Sequence, residues 1–180
     1  MLALRNRRCE EGAVSGSPTG HVVGARQVFD HDPAAPLATV VVPSVFVAAR
    51  GPDRTLLLVR RCDSGGWELP GGRVDVGECA VAAAVRETAE ESGVLVAITG
   101  IVGVYTDPGL VVRAVDGEVR QPFSLVLRAE PVGGTLCADR EETSLAAWLT
   151  PAEIDRLPLE PGARHRIDHA LADGPVPYLH

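Results

Sequence analysis

The stretch Leu69–Val94, LPGGRVDVGECAVAAAVRETAEESGV, decides how this chain folds. Its second half, Glu78–Ser92, holds no Gly or Pro, is rich in Ala, and stops at Gly93. Glycine is favoured just past a helix end because it enters the left-handed region at little cost. A helix over Glu78–Ser92 is therefore expected. Val81, Ala84, Val85 and Thr88 fall at i, i+3, i+4 and i+7, which predicts one largely apolar packing stripe. Glu87, Glu90 and Glu91 lie on another arc: at 100° per residue, Glu90 sits about 60° to one side of Glu87 and Glu91 about 40° to the other. Neighbours so placed are about 5 to 6 Å apart at Cβ, where like charges repel by roughly 0.7 kcal/mol in water and about 3 kcal/mol at an effective dielectric near 20. Such an arc demands a cation. Arg86 is adjacent to Glu87 and four residues before Glu90, but one guanidinium does not offset three carboxylates. A hard divalent ion, Mg²⁺ or Mn²⁺, does, and Mg²⁺ characteristically combines a few carboxylates with waters and phosphate oxygens. A bare ExxEE on its own reads first as a solvated acidic helix face, so its surroundings must decide.

Those surroundings are specific. Gly71 and Gly72 stand upstream, Glu78 falls between them and the carboxylates, and Gly93 closes the run. The stretch resembles the Nudix box: Gly, five residues, Glu, seven residues, Arg-Glu, an aliphatic residue, any residue, Glu-Glu, any residue, Gly, and an aliphatic residue. Gly72, Glu78, Arg86, Glu87, Thr88, Glu90, Glu91, Gly93 and Val94 fill those positions. The one departure is Thr88, where the family prefers Ile, Leu or Val; Thr is β-branched and half apolar, so the expected cost is in packing rather than chemistry. WELPGG resembles the family's lead-in to the box and AAWLTPAEI its late strand and helix, so the likeness spans roughly residues 39–171.

The resemblance implies an α/β fold, a mixed β-sheet sandwiched between helices (α/β/α), with the box as a loop-helix-loop. It implies a metal-dependent hydrolase that cleaves the diphosphate bond of a nucleoside diphosphate linked to another moiety, with a metal-activated water attacking phosphorus. Glu87, Glu90, Glu91 and the carbonyl of Gly71 are the implied ligands of Mg²⁺ or Mn²⁺, and Arg86 would orient a carboxylate. Glu87 is the expected general base, although members differ in which carboxylate takes the proton. Glu78 would be a water-mediated ligand or would hold the loop. Glu142, with Glu141 beside it, resembles the extra carboxylate several members contribute from a late loop, although a solvated turn is the preferred reading. Arg60, Arg61 and Arg73 are the cations nearest the box; Arg60, Arg73 and Trp67 are the candidate substrate contacts, Trp67 being otherwise a core residue. His165 and His169 have i, i+4 ligand spacing but no third ligand near in sequence, which favours a helix surface or an ion-pairing role.

Substrate choice in this family depends on residues outside the box. A proline or a tyrosine at a set distance downstream suggests ADP-ribose or dinucleoside polyphosphates respectively. Tyr105 and Pro108, eleven and fourteen residues past Val94, fit neither spacing cleanly. A nucleoside triphosphate or nucleotide-sugar type of substrate is the expectation, with ADP-ribose pyrophosphatase as a variant. A catalytically silent nucleotide sensor of the same fold would be marked by lost box carboxylates, and none is lost. An isomerase of the fold would want a catalytic Cys and Glu in another setting than Cys62 and Cys79 provide.

Beyond the box, TVVVPSVFVAA (Thr39–Ala49) predicts a strand with Pro43 at an edge or bulge. GPDR, TLLLVRR, Gly65-Gly66 and WELP predict a hairpin meeting a short third strand. VLVAITGIVGVYTD reads as strand, glycine break, strand. FSLVLRAE places Phe123, Leu125, Leu127 and Ala129 on one face with Val126 interrupting, a strand through which a homodimer could pair. LAAWLTP is a last strand; Thr150, Pro151 and Glu153 carry the signature of a capped helix start, and a closing helix spans Arg164–Leu171. Residues 1–37 mix Gly, Ser, Pro, Ala and Arg without period and read as a poorly structured N-terminal extension, leaving 38–180 as a single domain of the implied fold.

Composition bounds the function. With 180 residues, 46% hydrophobic and 23% charged, the chain is globular and sized for one core. A net charge of −7 has the wrong sign for clamping nucleic acid, so any anionic substrate must be met by local cations or a bound metal; the small-molecule partner is what the resemblance implies. Cys9, Cys62, Cys79 and Cys137 form no CxxC pair and are expected to be reduced thiols. The longest apolar run, Val40–Ala49, is too short and too interrupted for a membrane helix, and no secretory signal pattern is evident. A cytoplasmic protein without membrane association is expected.

Overall fold

A computed structural model describes residues 26–172 and 174–179. The element order is β1 (Gln27–Asp30), β2 (Val40–Ala49), a 3-10 turn at Pro52–Arg54, β3 (Leu56–Arg61), β4 (Trp67–Glu68), β5 (Gly71–Arg73), α1 (Ala80–Ser92), β6 (Val94–Tyr105), β7 (Leu110–Arg113), β8 (Val119–Gly134), β9 (Thr143–Leu149), α2 (Pro151–Ile154), α3 (Ala163–Ala172) and β10 (Tyr178–Leu179). The expected segment 1–37 thus contains a paired strand, β1, and its first 25 residues lie outside the described ones.

The centre is the pair β2 and β8, parallel from Val40↔Arg120 to Ala49↔Ala129. β5 pairs antiparallel with the other edge of β2. β6 and β7 pair antiparallel with β8, β1 continues from β7, and β10 joins β6 in parallel. A smaller antiparallel sheet has β3 between β4 and β9. β2 and β3 therefore do not form a hairpin; they enter different sheets and touch through one bridge, Arg50↔Leu56. The hairpin in this region is β3–β4, turned at Gly65-Gly66.

Period-2 alternation distributes the core between two layers. Val45, Val47, Ala49, Leu57, Leu127 and Ala129 face Ala83 and Ala84 of α1. The intervening Ala48, Leu56, Leu58 and Val126 face Ala163, Ile167 and Ala170 of α3. The sheet is covered on both faces, which is the expected α/β/α arrangement and explains Val126: a strand buried on both sides needs no polar alternation. Phe123 is 45% exposed. Ser124–Ala129 of β8 lie between β2 and β6, so that stretch of FSLVLRAE is not open for strand pairing with a second chain. Gly100 does not break β6; it sits at one of three register shifts against β8. Pro43 lies where β5 has just ended: its carbonyl accepts from Val74 N–H at 3.2 Å, so its N, which points the same way along a strand, faces the open edge.

α1 ends as expected, with Gly93 at φ 69° and its N–H on the Ala89 carbonyl. Its buried face is Ala83, Ala84, Thr88, Glu91 and Ser92, whereas Val81 is 48% exposed, so the packing stripe is turned from the predicted one. Thr88 is buried with its hydroxyl donating 2.7 Å to the Ala84 carbonyl, which leaves no unsatisfied polar atom at the family's aliphatic position. At α2, Thr150 accepts from Glu153 N–H and Glu153 accepts from Thr150 N–H, a complete capping box. Thr150→Ala is expected to destabilise the protein by about 1 kcal/mol, read as a melting-temperature drop of roughly 2 to 4 °C. Cys62 and Cys79 are free, but Cys137 is disulfide-bonded, so the expectation of reduced thiols does not hold there. No helix among the described residues is long and apolar enough to cross a membrane.

Candidate active site

The site is built where β5 leads into α1. Glu78 Oε1 accepts from the Asp75 backbone N–H at 2.9 Å, folding the connecting loop on itself. Arg86, nearly two turns into the helix, then ties loop to helix. Its Nη2 and Nε donate to Glu78 Oε1 and Oε2 at 2.7 and 3.2 Å, and Nη1 donates to Glu87 Oε1 at 2.9 Å and Glu90 Oε2 at 3.1 Å. Nη2 also reaches the Arg73 carbonyl at 3.3 Å. These bonds, led by those from Glu78, raise the Arg86 pKa and keep it cationic, and Arg86 in turn holds the Glu78 carboxyl below its ordinary range. Of the two roles considered for Glu78, holding the loop is the one this geometry displays.

Glu91 points the other way, into the protein. It is 3% exposed and its Oε2 accepts from Gly71 N–H at 2.9 Å. Burial pushes its pKa up to about 9, against the Gly71 hydrogen bond and with the neighbouring Glu68 and Glu87 charges adding. Glu87 is raised too, first by burial, with Arg86 opposing and Glu90 and Glu142 adding. The exposed Glu142 is thus close enough to be felt at Glu87, whatever its role.

Among the described residues no three of His, Cys, Asp and Glu already converge as metal ligands do; Arg86 supplies the positive charge for Glu87 and Glu90. The donor set nonetheless fits a hard divalent cation. Glu87 and Glu91 are oxygen donors whose ionised forms are disfavoured by burial and by neighbouring carboxylates, which is the imbalance a dipositive ion relieves. Gly72 is packed so tightly against Glu87 that a Cβ there would lie 2.4 Å from its Oε1. Backbone and carboxylate therefore share one small site.

Beside Gly71 and Gly72 opens a cleft of about 170 Å³ lined by Arg26, Arg61, Arg73, Arg120 and Arg166, with Glu68 and Phe46 at its wall. A larger cavity of about 400 Å³, lined by Tyr105, His165 and Tyr178, continues from it and shares Arg166, Leu110, Pro122 and Ser124. Of the candidate substrate contacts, Arg73 is in the cleft. Arg60 is not: its Nε donates to the Gly65 carbonyl at 3.0 Å on the β3–β4 turn. Nor is Trp67, which is 8% exposed and packs in the core with Leu58 and Ile167. Sequence reasoning passed over Glu68 and Arg166, both 5% exposed and 3.7 Å apart. Glu68 had a signal, an acid in an otherwise apolar segment immediately before Pro-Gly-Gly. His169 bonds Tyr105 Oη at 2.9 Å through Nδ1 and stacks on Tyr178 with ring centroids 4.1 Å apart, a packing role.

A family model described as the NUDIX domain matches residues 40–170. A MutT-like protein of Streptomyces ambofaciens is 35% identical over 140 residues, covering 78% of this chain and 82% of that one. A putative 8-oxo-dGTP diphosphatase of Bacillus subtilis is 39% identical over 114 residues, 63% of this chain and 68% of the relative. The solved structure of an ADP-ribose pyrophosphatase from Streptococcus suis superposes with a TM-score of 0.59 at 21% identity, covering 77% of this chain and 96% of that one, a likeness of fold. With the box geometry and a family match running from β2 to α3, the chain belongs to the Nudix hydrolase family.

Proposed function

We propose that this Nudix hydrolase is a Mg²⁺-dependent (or Mn²⁺-dependent) pyrophosphohydrolase that cleaves the diphosphate bond of a nucleoside triphosphate or nucleotide-sugar type of substrate to release a nucleoside monophosphate. The observation that carries this reading is the arginine-lined cleft abutting Gly71 and Gly72, on the same backbone that Glu87 and Glu91 contact. In a chain of net charge −7, cations gathered at one concave site serve a local anion. The name of the Bacillus subtilis relative favours a nucleoside triphosphate within that class.

Glu87, Glu90, Glu91 and the Gly71 carbonyl would hold the cation. When bound, it would neutralise charge on the diphosphate and lower the pKa of a water so that it becomes a nucleophile at neutral pH. Glu87 would be the carboxylate that takes a proton from the attacking water. Arg86 fixes Glu87 and Glu90 relative to the loop, and Arg73 orients the phosphates from the cleft. Effective molarity of this kind depends on position, so the tether from Glu78 through Arg86 belongs to the chemistry although it touches no reacting atom.

The test is incubation of the protein with Mg²⁺ and a panel of deoxynucleoside triphosphates including 8-oxo-dGTP, nucleotide sugars and ADP-ribose, with products separated by anion exchange. Monophosphate released from at least one member, and abolished by EDTA, is expected. Binding without any turnover would replace this reading with that of a nucleotide sensor.

A further inference from the structure

We propose that Arg166 of α3 is a substrate-binding residue that grips a phosphate oxygen in the cleft beside Gly71 and Gly72. The identity of the substrate rests on the pyrophosphohydrolase reading; the anion site does not.

Arg166 is 5% exposed, and its buried Nε has no hydrogen-bond partner. Native structures seldom leave a buried donor of this kind unpaired. Its guanidinium carbon lies over the Phe46 ring, 4.0 Å from the centroid, with Glu68 Oε2 at 3.7 Å from Nη2. It lines both cavities, at the place where they meet. The other cleft arginines are largely committed. Arg26 pairs with Glu160 at 3.0 Å, Arg61 with Asp63 at 2.8 Å and Glu68 at 3.3 Å, and Arg120 with Asp116 at 3.0 Å and with Glu118. Of these arginines, Arg73 and Arg166 are the ones whose guanidinium makes no side-chain hydrogen bond to a carboxylate among the described residues. Glu68 is shared by Arg61, its nearer partner, and Arg166, so Arg166 has no carboxylate of its own. A planar guanidinium there matches two oxygens of a phosphate, the oxyanion class best suited to it.

Arg166→Met keeps length and the contact with Phe46 but removes charge and donors; Arg166→Lys keeps the charge and loses the fork. Inorganic pyrophosphate with Mg²⁺ is the binding probe, measured by calorimetry, beside KM and kcat on the best substrate of the panel. Arg166→Met is expected to weaken pyrophosphate binding and raise KM by about ten- to hundredfold, with kcat within about threefold and Arg166→Lys intermediate. A purely structural arginine would lower the melting temperature without that split. Unchanged KM and pyrophosphate affinity in Arg166→Met overturn the proposal and leave the hydrolase reading intact. Arg166-dependent pyrophosphate binding with no turnover of any substrate supports the anion site and sinks the hydrolase reading instead. If Arg166→Met does not fold, Arg166→Lys decides: a raised KM at wild-type melting temperature supports the assignment, and wild-type KM overturns it.

Discussion

Glu87→Gln lowers turnover by about 10² to 10⁴ at saturating Mg²⁺ while the protein stays folded. The two halves of that outcome have separate causes. Catalytically, the amide neither takes a proton at neutral pH nor binds a hard cation as a carboxylate does. Structurally, Glu87 is a half-buried acid whose ionised form burial already disfavours, and its tie to the fold is one hydrogen bond from Arg86 at 2.9 Å that a Gln oxygen can still accept. Steady-state kinetics with a thermal melt of the same preparation reads both. Turnover within a few-fold of wild type would remove Glu87 from the role of base, and a collapse of the melting temperature would make any rate loss uninformative about it.

The ordering of glycines and acids from Gly72 to Val94 was legible because it is a spacing, and spacing on a helix becomes geometry directly. What depended on the third dimension was less legible. Helix α1 begins at Ala80 and not at Glu78 because Glu78 and Asp75 close a loop of their own. The buried arc turns away from Val81 because alanines let the helix approach the sheet closely, drawing Glu91 inward with them. On strands, neighbouring residues face opposite ways, so a guess one residue off inverts the outcome. Arg60 was preferred to Arg61 as a phosphate contact, yet Arg61 lines the cleft and Arg60 serves the turn. Likewise Trp67 enters the core and its neighbour Glu68 the cleft wall. Arg166 was invisible for another reason: an arginine on an amphipathic helix is ordinarily solvent-facing, and only the packing of α3 over Phe46 buries it.

The adjacent glycines of the box should separate in their effects. A Cβ on Gly71 would lie 2.1 Å from the Val45 carbonyl oxygen and 2.8 Å from Phe46 Cα, both backbone of the central strand β2. Neither can yield without opening the β2–β5 ladder, so Gly71→Ala is expected to cost about 1 to 3 kcal/mol or more and to shift the melting temperature down by several degrees. The atoms nearest a Cβ on Gly72 are those of the Glu87 carboxylate, with Oε1, Cδ and Oε2 at 2.4, 2.5 and 2.8 Å. That is the far end of a flexible side chain, which can swing aside at small cost in stability. Swinging aside carries it off its position against Arg86 and the loop, and misplacement of a catalytic group by about 1 Å is enough to cost on the order of 10²-fold in rate. Gly72→Ala should thus melt near wild type and turn over poorly, whereas Gly71→Ala should melt early. Paired melts and kcat measurements on the two variants check the contrast. A Gly72→Ala protein with normal turnover would mean that the contact between Gly72 and Glu87 is packing alone, and that the box loop can deliver its carboxylate from more than one position.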